Sequence, residues 1–138
     1  MKATAVLVDT NIVLDVLARR EPFLVAAQRI FDLSAEGEVG GYLCATTLTS
    51  IQYLLRKRAG AAAALRSIRE LLSLFAIAPV DQAVLIAATN NAMKDFEDAV
   101  LLEAARRVKA NVIITRNVKD FAHSDIPALT PAEFLALP

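Results

Sequence analysis

Three short stretches, Ala5-Val6-Leu7-Val8, Tyr42-Leu43-Cys44-Ala45 and Val112-Ile113-Ile114, are apolar at successive positions. A strand with one wet face alternates, so unbroken runs of this kind read as strands buried on both faces. The stretches between them carry apolar residues at helical spacing, for example Ile12, Val13, Val16 and Leu17. Buried strands alternating with helices predict an α/β chain whose parallel sheet is covered on both sides.

Thr4 to Val8 is expected as the first strand, followed by a helix from Asn11 to Arg20 capped by Thr10 or Asn11. Pro22 is expected to open a second helix running to about Glu36, which Gly37, Gly40 and Gly41 end. A strand near Tyr42 to Ala45 leads into a helix capped by Thr46 or Thr47 and ending at Arg58; Gly60 separates it from another, Ala61 to Leu74. Ala76 to Ala78 is a short strand stopped by Pro79, and Asp81 caps a helix from Gln82 to about Asn90. A helix from about Asp95 to Lys109, the strand Val112 to Ile114 and a helical turn around Val118 to Phe121 follow. A weak strand at Ala128-Leu129 and a final helix capped by Thr130 close the chain.

Acidic residues sit at the ends of these elements. Asp9 directly follows the first apolar run, Asp98 lies in Asp95-Phe96-Glu97-Asp98, and Asp120 comes shortly after Val112-Ile113-Ile114. If the runs are neighbouring parallel strands, Asp9 and the Thr115 to Asp120 segment meet at their carboxyl ends, where open α/β sheets place their sites. Carboxylates gathered there repel by about 4 kcal/mol for a pair about 4 Å apart at an effective dielectric of about 20. A divalent cation relieves that repulsion. Each acid has a plainer reading. Asp9 and Asp95 suit helix N-caps, and acids in a first helical turn complement the helix dipole. Asp95 and Asp98 are three apart and share a helix face, whereas Glu97 points elsewhere and is expected in solvent. Asn and Asp after a strand are ordinary turn residues.

Other features bound the function. The 138 residues suit one domain spanning 1–138, large enough to bury its own core. Its 56% hydrophobic content exceeds the usual share and suggests a surface covered by a partner or a second copy. Net charge is zero, so binding to nucleic acid must rest on a local patch. Arg19-Arg20 and Arg56-Lys57-Arg58 end helices, where cations have a routine dipole role. His123, the only histidine, is expected to be exposed, and the single Cys44 to be a small buried hydrophobe. No apolar run approaches the ~18 residues of a membrane span, and the apolar N-terminal run is too short for a signal peptide. A cytoplasmic location without membrane association is expected.

The segments Val8-Asp9-Thr10-Asn11, Asp95-Phe96-Glu97-Asp98-Ala99 and Ile114-Thr115-Arg116-Asn117 followed by Asp120-Phe121 together resemble the PIN-domain nucleases. The order and spacing match along essentially the whole chain. The resemblance implies a three-layer α/β/α fold around a parallel sheet of four to five strands and cleavage of single-stranded RNA with Mg²⁺ or Mn²⁺. It also implies a homodimer that acts as the toxin of a toxin–antitoxin pair, with an antitoxin protein as partner. Asp9 and Asp98 would hold the metal, supported by Asp95 and Asp120. Thr10, Asn11, Ser50, Thr115 and Asn117 would steady those ligands or touch phosphate.

Two departures from the family pattern stand out. No Asp or Glu occurs between Glu38 and Glu70, where the family carries an acid on the helix after the second strand; Thr49-Ser50-Ile51-Gln52 stand there. The later acid is Asn117, with Asp120 three residues on. These departures leave a catalytically weak or inactive RNA-binding module as one alternative. A phosphoryl-transfer α/β enzyme of another lineage is the other. A haloacid-dehalogenase-like enzyme would need a second Asp where Asn11 stands, and a receiver domain would need an acceptor Asp after the third strand, where Pro79 stands.

Overall fold

The computed structural model describes residues 3–138. Five strands, β1 (Thr4–Val8), β2 (Val39–Cys44), β3 (Ala76–Ala78), β4 (Val112–Ile114) and β5 (Ala128–Leu129), form one sheet in the order β3-β2-β1-β4-β5. Every pairing is parallel. The helices are α1 (Thr10–Leu17), α2 (Leu24–Ala35), α3 (Ala45–Ala59), α4 (Ala61–Leu74), α5 (Gln82–Asn90), α6 (Phe96–Arg107) and α7 (Pro131–Leu135), with a 3₁₀ turn at Val118–Phe121.

Successive strand residues point to opposite faces, and both faces are covered. Val6, Val8, Leu43, Val112 and Ile114 pack with Ile12, Val13, Ile30, Phe31, Ile51 and Leu71 from α1 to α4. Leu7, Cys44, Ala78 and Ile113 pack instead with α5, α6 and Phe121. This is the expected three-layer α/β/α arrangement, and Cys44 is the expected buried hydrophobe. Asp81 caps α5 by accepting from the Val84 amide at 3.0 Å, and Thr130 caps α7 through a reciprocal box with Glu133.

Four boundaries differ from expectation. α1 starts at Thr10, not Asn11, with Asp9 as its N-cap, and stops at Leu17 because Arg19 turns left-handed (φ 51°). Pro22 does not open α2. Residues 21–23 form a turn closed by the Phe23 amide on the Arg20 carbonyl at 3.0 Å, and the helix begins at Leu24. Neither Thr46 nor Thr47 caps α3, which begins at Ala45 after Cys44 without a side-chain cap. Gly40 and Gly41 lie inside β2, paired with Ala5 and Val6, instead of ending α2. A Cβ at Gly41 would run into the Ser34 hydroxyl and lie 2.7 Å from the Phe75 ring, so close helix packing on this strand requires glycine there.

The chain winds from β1 to β2 and β3 on one side, then crosses to place β4 and β5 on the other. The order reverses between β1 and β4, and a crevice opens at the carboxyl ends of those strands.

Candidate metal centre

Asp9 and Thr115 are the first residues beyond the paired ends of β1 and β4, Val8 and Ile114. The Asp9 amide continues the ladder by donating to the Ile114 carbonyl at 2.9 Å, so its side chain is placed by sheet geometry and not by a flexible loop. It is 7% exposed. Its Oδ1 accepts from the Thr10 amide at 2.8 Å, and its Oδ2 accepts from the Thr115 hydroxyl at 2.8 Å. One oxygen thus caps α1 while the other is held from β4.

Thr115 is fully buried, and its hydroxyl is saturated. It donates to Asp9 and accepts from the Asn117 amide at 3.0 Å, with Asn11 Nδ2 a longer 3.4 Å away. Asn11 Nδ2 also lies 3.4 Å from Asp9 Oδ2. Thr10 shares a 3.0 Å hydroxyl contact with the buried Thr47, so Thr47, not Ser50, is the α3 residue that meets it. Ser50 is half-buried one turn further along α3.

Asp95 is the N-cap of α6 and accepts from the Asp98 amide at 3.0 Å. That bond fixes the first turn and with it the position of Asp98, which is half-buried. Burial, with the charges of Asp9, Asp95, Asp120 and Glu97, pushes the Asp98 carboxyl up to about 7. Burial also raises Asp9, partly offset by its bonds from Thr115 and Thr10, with the charges of Asp120 and Asp95 adding to the rise. The acids thus sense one another across the crevice. Asp95 and Asp120 remain exposed, as does Glu97. Among the described residues no three His, Cys, Asp or Glu side chains stand close enough together to hold a metal ion between them.

A groove of about 810 Å³ runs past Asp95, Asp98 and Asp120. Lys94 lines it from the α5–α6 connection, Lys119 from the 3₁₀ turn and His123 from the segment just after that turn. His123 is exposed, as expected. Asn91 also borders the groove, but its side chain is committed to the Ala99 carbonyl and to Glu103 at 3.2 and 2.9 Å.

The family model for the PIN domain matches residues 5–119. The chain belongs to the PIN-domain family. Solved structures repeat the architecture. A toxin–antitoxin complex from Klebsiella pneumoniae is 25% identical over 91% of this chain and 97% of that one, with a TM-score of 0.69. FitAcB from Neisseria gonorrhoeae is 20% identical over 92% and 98%, with a TM-score of 0.72. VapC20 from Mycobacterium tuberculosis, a sarcin–ricin-loop-cleaving toxin, is 17% identical over 86% and 94%, with a TM-score of 0.67. No curated protein matches the sequence. The family assignment sets aside the dehalogenase-like and receiver lineages.

The donor chemistry of this PIN domain suits a hard divalent cation: carboxylates at Asp9, Asp98 and Asp120, with a neutral oxygen at Asn117. Burial first and the neighbouring carboxylates second raise Asp98, and a cation relieves the repulsion among those carboxylates. Mg²⁺ commonly takes only one or two carboxylates and keeps several waters, so a centre short of three close acids still fits it.

Two residues of this neighbourhood carried no signal in the sequence. Asp15 lies in α1 with no exposed surface, held by Arg116 from the turn after β4. Thr47 reads as one polar residue among several at the start of α3. Only the approach of α1 singles it out.

Proposed function

We propose that this chain, read as one domain over 1–138, is a divalent-metal-dependent endoribonuclease that cleaves single-stranded RNA in the cytoplasm. What supports this reading is the place of Asp9 at the end of β1 beside β4, with Asp98 at the start of α6 close enough to feel its charge. Both carboxyls there are raised by burial and by the neighbouring acids. Asp9 and Asp98 would hold Mg²⁺ or Mn²⁺, with Asp95 and Asp120 supporting it directly or through water. When bound, the cation supplies positive charge against the phosphodiester oxygens and acidifies an attacking water. The chain's own residues do the rest. Thr115 and the Thr10 amide orient Asp9, Asn11 and Asn117 complete the polar wall, and Lys94, Lys119 and His123 offer donors to flanking phosphates.

The toxin–antitoxin complexes among its structural neighbours support a role as the toxin of such a pair. Tyr53, Leu54, Leu65 and Leu72 on the α3–α4 hairpin are exposed apolar residues, which supports a covered face, either in a homodimer or against an antitoxin.

A second reading, a PIN-like RNA-binding module with weak or no catalysis, is favoured by the acid-free stretch from Val39 to Arg69. End-labelled single-stranded RNA incubated with Mn²⁺ separates the two. Cleavage that EDTA stops, and that Asp9→Asn and Asp98→Asn each largely remove without altering the circular dichroism spectrum, is the expected result. RNA binding without metal-dependent cleavage would establish the module instead, and unchanged cleavage in both variants would exclude this site.

A further inference from the structure

Of the two buried acids, Asp9 and Asp15, the proposed chemistry uses only the first. Asp15 is fully enclosed and is held by Arg116 through one guanidinium edge, Nε donating to Oδ2 at 2.8 Å and Nη2 to Oδ1 at 3.2 Å. Arg20 Nη1 stands 3.9 Å from Oδ1. The Arg116 guanidinium also stacks over the Phe23 ring, 4.0 Å from its centroid. Two independent contacts therefore lock this side chain, and it has little freedom left to meet a phosphate.

The backbone of Arg116 faces the candidate centre. Its amide donates to Asn11 Oδ1 at 3.3 Å. With the oxygen of that side chain engaged, Asn11 Nδ2 is turned towards Asp9 Oδ2 and Thr115 Oγ1, at 3.4 Å from each. Thr115 and Asn117 flank Arg116 on the same turn, joined by the Asn117 amide on Thr115 Oγ1 at 3.0 Å. A buried ion pair is weak evidence of stabilisation, since the cost of removing both charges from water can exceed their attraction. Such a pair does, however, define one geometry.

We propose that Arg116 is a positioning residue: clamped by Asp15 and Phe23, it holds the Thr115–Asn117 turn and the Asn11 amide so that Asp9 Oδ2 is presented to its ligand in one orientation. The claim deepens the nuclease reading, in which that ligand is the cation, but the placement of the turn does not depend on it.

Arg116→Lys keeps the charge and loses the planar fork. Positioning predicts that Lys fails to substitute, whereas a phosphate contact or simple charge would be rescued by it. The decisive readout is nuclear magnetic resonance of the metal-free protein. Arg116→Lys should speed hydrogen exchange of the Asn117 amide by about tenfold or more, an opening comparable to the loss of one hydrogen bond. It should also move the Asn11 side-chain amide resonances. Wild-type exchange and resonances in the variant would overturn the proposal, whether or not the protein cleaves RNA. On the nuclease reading, kcat and Mn²⁺ affinity should also fall by about 10–100-fold, the range for groups that orient ligands, with KM for RNA little changed. Failure of the unmodified protein to bind Mn²⁺ or cleave would sink the nuclease reading alone. Should Arg116→Lys not fold, Asp15→Leu with Arg116→Met replaces the pair by apolar groups and is expected to fold with no loss of thermal stability. The same exchange and resonance criteria then decide.

Discussion

The Thr115 hydroxyl donates to Asp9 Oδ2 at 2.8 Å, joining residues 106 positions apart in the chain. β1 and β4 are adjacent parallel strands, so this bond crosses the point where the strand order reverses, and it is buried. Thr115→Val keeps the shape and removes the donor. The Asn117 amide and Asp9 would each lose a partner, at about 1–3 kcal/mol for a buried group left unsatisfied. Denaturant titration should show a loss of that size, and Mn²⁺ affinity measured by calorimetry should fall by about tenfold or more. Full metal affinity in the variant would mean that Thr115 serves only the fold.

The raised carboxyls set a pH dependence. Asp98, at about 7, and Asp9, also raised, bind protons more tightly in the folded chain than in the unfolded one. Their contribution to stability is complete below the ordinary carboxylate range and is lost as pH rises from about 4 through about 7. Thermal melts of the metal-free protein should therefore show a downward component over that interval, which Asp98→Asn should flatten. A cation must displace the Asp98 proton, so the stabilisation gained from Mn²⁺ should be larger at pH 7.5 than at pH 5.5. Equal gains at both would argue that Asp98 is not a ligand.

Lys119 lines the groove beside Asp120 and makes no ion pair among the described residues. If it contacts a phosphate of the strand, Lys119→Ala should raise KM for RNA several-fold while leaving kcat nearly unchanged. The slope of log affinity against log salt should fall by about 0.7, the value for one contact to a single strand. A collapse of kcat at constant KM would place Lys119 at the scissile group instead.

Much of the sheet was legible because strands buried on both faces leave an unbroken apolar record; β1, β3, β4 and β5 fall where their residues predict. The places of Asp9 at the end of β1 and of Asp98 in the first turn of α6 were legible from the elements they border. Capping at α1 was not. Asp9, Thr10 and Asn11 are all good caps, and only the Asp9 amide's pairing with Ile114 fixes where the strand stops. Gly40 and Gly41 looked like a helix end because the need for glycine at Gly41 in β2 comes from Ser34 and Phe75, brought from two helix boundaries. Asp15 was invisible for want of its partner: Arg116 lies 101 residues away, and nothing local distinguishes a buried acid on a helix from an exposed one.

The helix after β2 gives the last prediction. α3 carries no acid, and its contact with the centre runs through Thr47 to Thr10 at 3.0 Å. Ser50 follows Thr47 by three residues and shares its side of the helix, whereas Gln52 is five residues on and turned away. Ligand charge is one determinant of affinity for hard cations. Ser50→Glu should therefore tighten Mn²⁺ binding, and Gln52→Glu should leave it unchanged. The added carboxylate also repels Asp9 and Asp98 when no metal is present, so Ser50→Glu should lower the metal-free melting temperature at pH 7.5 and restore it on adding Mn²⁺. Calorimetry and melting curves on the two variants, side by side, are sufficient. No gain from Ser50→Glu would show that the cation sits on the α6 side of the crevice, beyond the reach of Ser50, and a gain from Gln52→Glu would show that Gln52 is the α3 position turned towards it.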